Sequence, residues 1–255
     1  MEIKDINSES NATFKLFLKL TKARGIKKNS LALLSGPKQV MEVLREFPNR
    51  CDGIIFPDHH DSLPESIGAD IPLYRLKAAL FRQIDLYDTC QPMLLIRVEP
   101  LPKWDEKVEV SGCTLCVPFQ DPANVGAVIR SAAAFGVSRV VVLKEAAHPF
   151  HHKSVRVAGN TIFKVPLFEG PSLDDLKASK VPIITLSPTG KNVKDFRFSS
   201  SFCLVPGLEG PGLPDHLRKA TCLSISMEPG VESLNAAMAT GIVLYLWRTQ
   251  MIVED

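Results

Sequence analysis

The sequence contains no apolar run long enough to span a bilayer. No internal repeat of solenoid period is visible, which excludes the common repeat architectures. Excess charge of one sign is missing too: 30 basic residues against 28 acidic ones leave a net charge of +2. Any surface that meets nucleic acid must therefore be local. The N-terminus, Met1 to Asn11, is polar and mixed in charge, which argues against a signal peptide. Six cysteines are scattered, and only Cys113 and Cys116 are close. Cys113-Thr-Leu-Cys116 has the spacing of a redox or zinc pair. It lies, however, in a run that reads as a buried strand, where the two thiols face opposite sides of the pleat. We read these thiols as structural and infer a reducing, cytoplasmic compartment. No metal is expected.

What remains is an ordinary globular composition, 45% hydrophobic over 255 residues, enough for one large domain or two smaller ones. The chain is organised around residues 121 to 136. A buried strand precedes them (Cys113 to Phe119) and another follows (Arg139 to Leu143). Between the two strands, Val125, Val128, Ile129, Ala132, Ala133 and Phe135 recur at helical spacing. Asp121-Pro122 makes a turn, Asn124 is the expected N-cap, and Gly136 the expected stop. This is the βαβ element of a parallel sheet. Arg130 stands out in this helix. Either its stem lies on the surface with its head in water, or it is a cation held for a purpose, since burying it unpaired would cost several kcal/mol.

Along the first hundred residues, strands (31–34, 52–56, 71–74, 93–98) alternate with helices. A basic amphipathic helix is expected over 10–24, with Phe14, Phe17 and Leu18 on one side and Lys15, Lys19, Lys22 and Arg24 on the other. Its charged face is either simply solvated or a phosphate contact. Pro100 to Ser111 has no periodicity and reads as a linker. The alternation then restarts, with strands near 113–119, 139–143, 161–165, 182–186, 202–206 and 221–225. Helices are expected near 124–135, 172–179, 214–219 and 233–248. The run Ala147-His-Pro-Phe-His-His-Lys153, followed by Arg156, lacks metal-ligand spacing and reads as a local basic patch with Lys144.

Three turns directly follow strands. The first carries Asn124 and Arg130. The second, Gly207-Leu-Glu209-Gly210-Pro-Gly212, holds three glycines that permit close backbone approach and a Glu209 that a mere turn does not call for. It is neither a Walker loop nor a dinucleotide fingerprint. The third leads through Ser233-Leu234-Asn235 into the last helix, which Ser233 or Glu232 could cap, with Leu234, Met238, Ile242 and Tyr245 packed on the sheet. Open α/β sheets bind ligands at the carboxyl ends of strands, so Asn124, Arg130, Glu209, Ser233 and Asn235 could converge there. They include no Ser-His-Asp or Cys-His arrangement. An arginine, a glutamate and two amides suit orienting a hydroxyl or phosphate rather than acyl transfer.

Asn124-Val-Gly126-Ala-Val-Ile-Arg130, Gly207-Leu-Glu209-Gly210-Pro-Gly212-Leu213 and Ser233-Leu234-Asn235 resemble, in order and spacing, motifs 1, 2 and 3 of the SpoU/TrmH-type RNA 2′-O-ribose methyltransferases of the SPOUT superfamily. The resemblance covers about residues 110 to 250. It implies an α/β protein with a C-terminal trefoil-knotted parallel-sheet methyltransferase domain (112–255), preceded by a linker (101–111). Before these comes a small α/β ribosomal-protein-like domain that binds the RNA substrate (1–100). It implies S-adenosyl-L-methionine as cofactor, held at Leu186, Ser187, Gly207, Ile225 and Leu234 with Thr189 nearby. The implied roles around the reacting hydroxyl fall to Arg130, Asn124, Glu209, Ser233 and Asn235. An RNA partner, ribosomal or transfer, and a homodimer follow likewise. The chain departs from the family where Arg156 is followed by Val157-Ala158-Gly159 rather than by a small polar residue. A non-catalytic RNA-binding relative, and an unrelated dehydrogenase-type nucleotide enzyme, are the other readings the sequence leaves open.

Overall fold

The computed structural model describes residues 3–60, 71–176, 181–207 and 213–254. The chain forms two compact units: Met1–Pro100 with Phe150–Phe163, and Leu101–Pro149 with Lys164–Asp255.

The first unit contains β1 (Ile3–Ile6), α1 (Ala12–Leu20), α2 (Ala23–Asn29), β2 (Leu31–Leu34), α3 (Pro37–Glu46), β3 (Cys51–Pro57), β4 (Leu73–Leu76), α4 (Ala78–Ile84) and β5 (Met93–Arg97). Its sheet runs β1-β4-β3-β5-β2. β4 is parallel to β1 and β3, whereas β5 is antiparallel to β3 and β2. β1 is a strand the sequence pattern missed. Arg75 of β4 pins it through two hydrogen bonds to Asp5, at 2.6 and 3.0 Å. The strand expected at 71–74 is displaced to β4. The single helix expected over 10–24 is two helices. Asn11 caps α1 by accepting from Thr13 and Phe14 N–H groups, and the face Phe14, Phe17, Leu20 is buried in the sheet's core. The chain then breaks before α2, because it folds back so tightly that a Cβ on Gly25 would lie 1.8 Å from the Lys19 carbonyl oxygen.

The second unit holds β6 (Gly112–Val117), α5 (Pro122–Ala134), β7 (Arg139–Val142), β8 (Leu167–Glu169), β9 (Ile183–Asn192), β10 (Ser201–Val205), α7 (Asp215–Arg218), β11 (Thr221–Ser224) and α8 (Ala236–Glu254), while α6 (His152–Ala158) belongs to the first unit. Its sheet, β11-β9-β10-β6-β7-β8, is parallel throughout. Parallel strands covered on both faces read as continuous apolar runs, as β6, β7 and β10 do. Cys116 lies in the core with Cys203, burial pushes the Cys113 thiol up, the hydrogen bond with Cys203 and then burial push Cys116 up, and all six cysteines are free.

Three expectations need correction here. The strand expected at 161–165 is a 3₁₀ turn, Gly159–Phe163, and the pairing strand is β8. Gly159 forces this by taking φ 61°, which ends α6 in a conformation a strand cannot continue. The helix expected at 172–179 is absent over 172–176, which form turns, and 177–179 lie outside the described residues. The last helix buries a different stripe from the one expected. Ala237, Thr240, Val243, Leu244 and Trp247 are buried, whereas Met238 and Tyr245 are exposed. Both stripes are apolar, so hydrophobicity could not choose between them. The small Gly241 approaches Ser131 of α5, and the Thr240 hydroxyl is satisfied by the Ala236 carbonyl at 2.7 Å.

The histidine-rich run is not a loop throughout, since α6 begins at His152. The Tyr87 hydroxyl lies 3.1 Å from His152 Nδ1, and the His151 and His152 rings are 4.2 Å apart. Burial, with the neighbouring His151 and Lys153 adding to it, pushes His152 down to about 4. The folded chain thus refuses a proton that the unfolded chain accepts from about pH 6.5 downward. Stability from this group is complete above that pH and is lost as pH falls toward 4. In urea titrations over this window the midpoint falls with pH, and His152→Gln makes the decline shallower. An equally steep decline in the variant would assign the pH dependence to other groups.

Candidate active site

Where β10 and β11 end, and along the middle of β9, the second unit holds a cavity of about 900 Å³. This is the size of a site for a cofactor-sized ligand. Leu186, Ser187, Gly207, Ile225 and Leu234 all line it, together with Thr189 and Ser233. Two of the three strand-following turns, at Gly207 and at Ser233–Leu234, are thus brought onto one space with residues 185–189 of β9, whereas the turn that carries Asn124 and Arg130 does not line it. Among the described residues, the lining carries no Asp, Glu, Lys, Arg or His. A ligand there would be held by backbone groups, hydroxyls and apolar contact. Two further features fit such a ligand. A Cβ on Gly207 would lie 3.1 Å from the Leu186 carbonyl oxygen, so only a glycine lets these two segments close comfortably on each other. The Thr185 hydroxyl is buried without a hydrogen-bond partner. Such a group costs about 1–3 kcal/mol unless something polar meets it. Thr185, Cys222 and Met227 line the cavity and were missed from sequence. Thr185 was the readable one, a hydroxyl in a buried strand beside Leu186.

Beside the cavity, the start of α8 is tied to the start of α5. Asp121, not Asn124, caps α5, accepting from the Ala123 N–H at 2.9 Å. Asn124 is instead in the first turn of the helix and buried. Likewise α8 is capped neither by Ser233 nor by Glu232. The Asn235 side-chain oxygen accepts from the Ala237 and Met238 N–H groups, at 3.0 and 3.1 Å. Its amide nitrogen then donates to Asn124 Oδ1 at 3.0 Å. Asn124 and Asn235 are therefore joined, although 111 positions separate them. Helical periodicity offers no reason for Asn235, and the cap is that reason. Arg130 is exposed on α5, about 9 Å along the axis from Asn124, and does not line the cavity. The buried cation of this unit is Arg139, which donates to the Thr114 hydroxyl at 3.0 Å and the Val108 carbonyl at 2.8 Å. Glu209 lies outside the described residues.

The basic patch expected around 144–156 is divided. Lys144 pairs with Asp175 at 3.7 Å, whereas His152 meets Tyr87 and His151 lies against His152. Among the described residues, no group of three or more His, Cys, Asp or Glu is placed to hold a metal ion.

A parallel α/β unit with an uncharged cavity at its strand ends is the class of protein this geometry defines. The family model of the SpoU rRNA methylases matches residues 114–245, more than half of the chain, and the chain belongs to that family. A Bacillus subtilis relative named 23S rRNA (guanosine(2553)-2′-O)-methyltransferase RlmP is 30% identical, over 95% of this chain and 98% of the relative. A Syntrophobacter fumaroxidans relative named ribosomal RNA small subunit methyltransferase G 2 is 46% identical over 95% of this chain. The chain spans only 48% of that second relative's length. The fold resembles the crystal structure of an AdoMet-bound rRNA methyltransferase from Sinorhizobium meliloti, with a TM-score of 0.79 and 21% identity over 98% of both chains.

Replacing Asn235 with alanine removes the α8 cap and should lower stability by about 1–2 kcal/mol. Asn235→Ser keeps a capping oxygen and should recover most of that loss in urea unfolding. If serine recovers nothing, the amide to Asn124, rather than the cap, carries the stability.

Proposed function

We propose that this chain is an RNA 2′-O-ribose methyltransferase, transferring a methyl group from S-adenosyl-L-methionine to a ribose 2′-hydroxyl of structured ribosomal or transfer RNA. The observation that carries this reading is the uncharged cavity on which Leu186, Gly207, Ile225 and Leu234 meet. Leu186, Ser187, Gly207, Ile225 and Leu234 would hold the donor, and the unpartnered Thr185 hydroxyl would gain a partner. When bound, that donor supplies a methyl group on a sulfonium, whose leaving group is neutral and needs no proton. The protein's own work is then alignment and deprotonation of the hydroxyl. Arg130 would stand beside the hydroxyl. A guanidinium keeps its proton at neutral pH, so its role is to hold an RNA phosphate and favour the alkoxide electrostatically. Asn124, Glu209, Ser233 and Asn235 would orient Arg130, the loop and the ribose. The clasped amides of Asn124 and Asn235 support that assignment.

The finer architecture belongs to the same proposal. Residues 112–255 would form the methyltransferase domain, with its backbone threaded into a trefoil knot. β9 lies between β11 and β10, and the segments after β10 and β11 return to the same cavity, in keeping with such threading. Residues 1–100 would be a ribosomal-protein-like RNA-binding domain and 101–111 a linker. Between Ala12 and Asn29 stand Lys15, Lys19, Lys22, Arg24, Lys27 and Lys28, with no acidic residue, which suits a phosphate backbone. The protein would be a homodimer. On α8, Met238, Tyr245 and Ile252 recur at seven-residue spacing and are 60%, 54% and 60% exposed, an apolar stripe fit to meet another copy. A reducing cytoplasm suits its six free cysteines.

Methyl transfer from labelled S-adenosylmethionine to ribosomal and transfer RNA tests the activity. Arg130→Ala should abolish transfer while leaving donor affinity, measured by calorimetry, nearly unchanged. Wild-type activity in the variant would remove Arg130 from the mechanism. Donor binding by the wild-type chain without transfer to any RNA would sink the enzymatic reading. Separately, Tyr245→Glu should convert a dimer to monomer in light scattering. A wild-type monomer would refute the dimer.

A further inference from the structure

A group of side chains in the first unit has no part in the cavity or its rim. The Arg156 guanidinium carbon lies over the Tyr87 ring, 3.9 Å from its centroid. Contact of this kind holds the fork in place and does not itself use up its N–H donors. Arg156 forms no ion pair among the described residues, and its Nη1 is buried without a hydrogen-bond partner while the residue as a whole is half-buried. The nearby carboxylates are engaged elsewhere. Asp85 is buried and accepts from the Thr89 hydroxyl and the Cys90 N–H, and Glu42 pairs with Lys38 at 3.9 Å. Charge of the same sign is added by Lys153, which is exposed one helical turn before Arg156.

The platform itself is held in place. Tyr87 sits in a turn locked by Asp85, and two non-glycine residues of that turn, Asp88 and Cys90, take φ of 49° and 52°. Residues rarely adopt this conformation unless the surroundings impose it, and such positions concentrate at ligand-holding segments. The Tyr87 hydroxyl meets His152 Nδ1 at 3.1 Å. With the hydroxyl donating, a neutral imidazole carries its proton on Nε2, which becomes one more donor. A rigid guanidinium fork, an imidazole N–H and a lysine, with no carboxylate among them, make a receptor for an oxyanion.

We propose that Tyr87, His152 and Arg156 form a contact for a backbone phosphate of RNA, with Arg156 as the fork and Tyr87 as its platform. This rests on the reading that the protein acts on RNA. Tyr87 is a positioning residue, since it acts through Arg156.

The test measures binding of the full chain to a fluorescein-labelled hairpin taken from ribosomal RNA, by anisotropy, over a series of potassium chloride concentrations. Arg156→Ala should weaken binding roughly tenfold, as expected for loss of a charge-assisted hydrogen bond. It should also lower the slope of log affinity against log salt by about one, the signature of a lost phosphate contact. Arg156→Lys keeps the charge and should restore the slope but not the full affinity. Tyr87→Leu removes the platform and should weaken binding with the slope retained. S-adenosylmethionine affinity and the melting temperature serve as folding controls. If Arg156→Ala loses either control, the Arg156→Lys and Tyr87→Leu results decide. Wild-type affinity and slope in Arg156→Ala would overturn the proposal, as would weaker binding with an unchanged slope, which points to a base contact. A wild-type chain that binds no RNA at any salt concentration would instead bring down the RNA reading, and this contact with it.

Discussion

One side chain couples the parts of the second unit that matter most. Asn235 accepts two N–H groups at the start of α8 and donates to Asn124 inside the first turn of α5. The first four N–H groups of any helix lack intrahelical partners, so a cap is needed where α8 begins. Using an amide rather than a hydroxyl lets the capping oxygen bond backwards while the nitrogen reaches another element. Ser233 and Leu234, which immediately precede this anchor, line the cavity. The position of that wall therefore follows from a hydrogen bond between residues far apart in the chain.

Charge is distributed with equal economy. The cavity lining has no charged side chain among the described residues, whereas α1 and α2 carry only cations. A sulfonium-bearing donor is ill served by a fixed cation and needs shape and backbone acceptors. A polyanion is served by unpaired lysines and arginines, whose binding is dominated by release of counterions. The overall net charge of +2 conceals this separation. Arginine appears in three different environments. Arg139 is buried and satisfied by a hydroxyl, a carbonyl and a ring, Arg156 is stacked on Tyr87, and Arg130 stands exposed on α5. The cost of desolvating a guanidinium explains why, of the three, only Arg139, which donates to a hydroxyl and a carbonyl, is buried.

Elements with one dominant pattern were readable before any coordinates. The β6–α5–β7 unit follows from two apolar runs flanking a helical period, and Gly136, at φ 72°, ends the helix as expected. Of the cavity residues, Gly207, Ser233 and Leu234 lie in motifs placed after strands, whereas Leu186, Ser187 and Ile225 came only through the family resemblance. Failures arose where two local solutions were nearly equal in energy. A continuous amphipathic pattern over 10–24 gives no hint that Gly25 must lie against Lys19. Two apolar stripes on α8 differ only in what they pack against. Ser233, Glu232 and Asn235 are all competent caps, and the choice fell to the residue that could also reach Asn124.

The sequence alone therefore determined the alternation of strand and helix, the parallel character of the second sheet and the three polar turns. These depend on periodicity and on backbone preferences, which are local. Which face of α8 is buried, which asparagine caps which helix, how Tyr87 comes to lie under Arg156, and that Thr185 faces a cavity were decided only by tertiary structure. Each depends on a partner tens of residues away, and a side chain's environment is not contained in its neighbours along the chain.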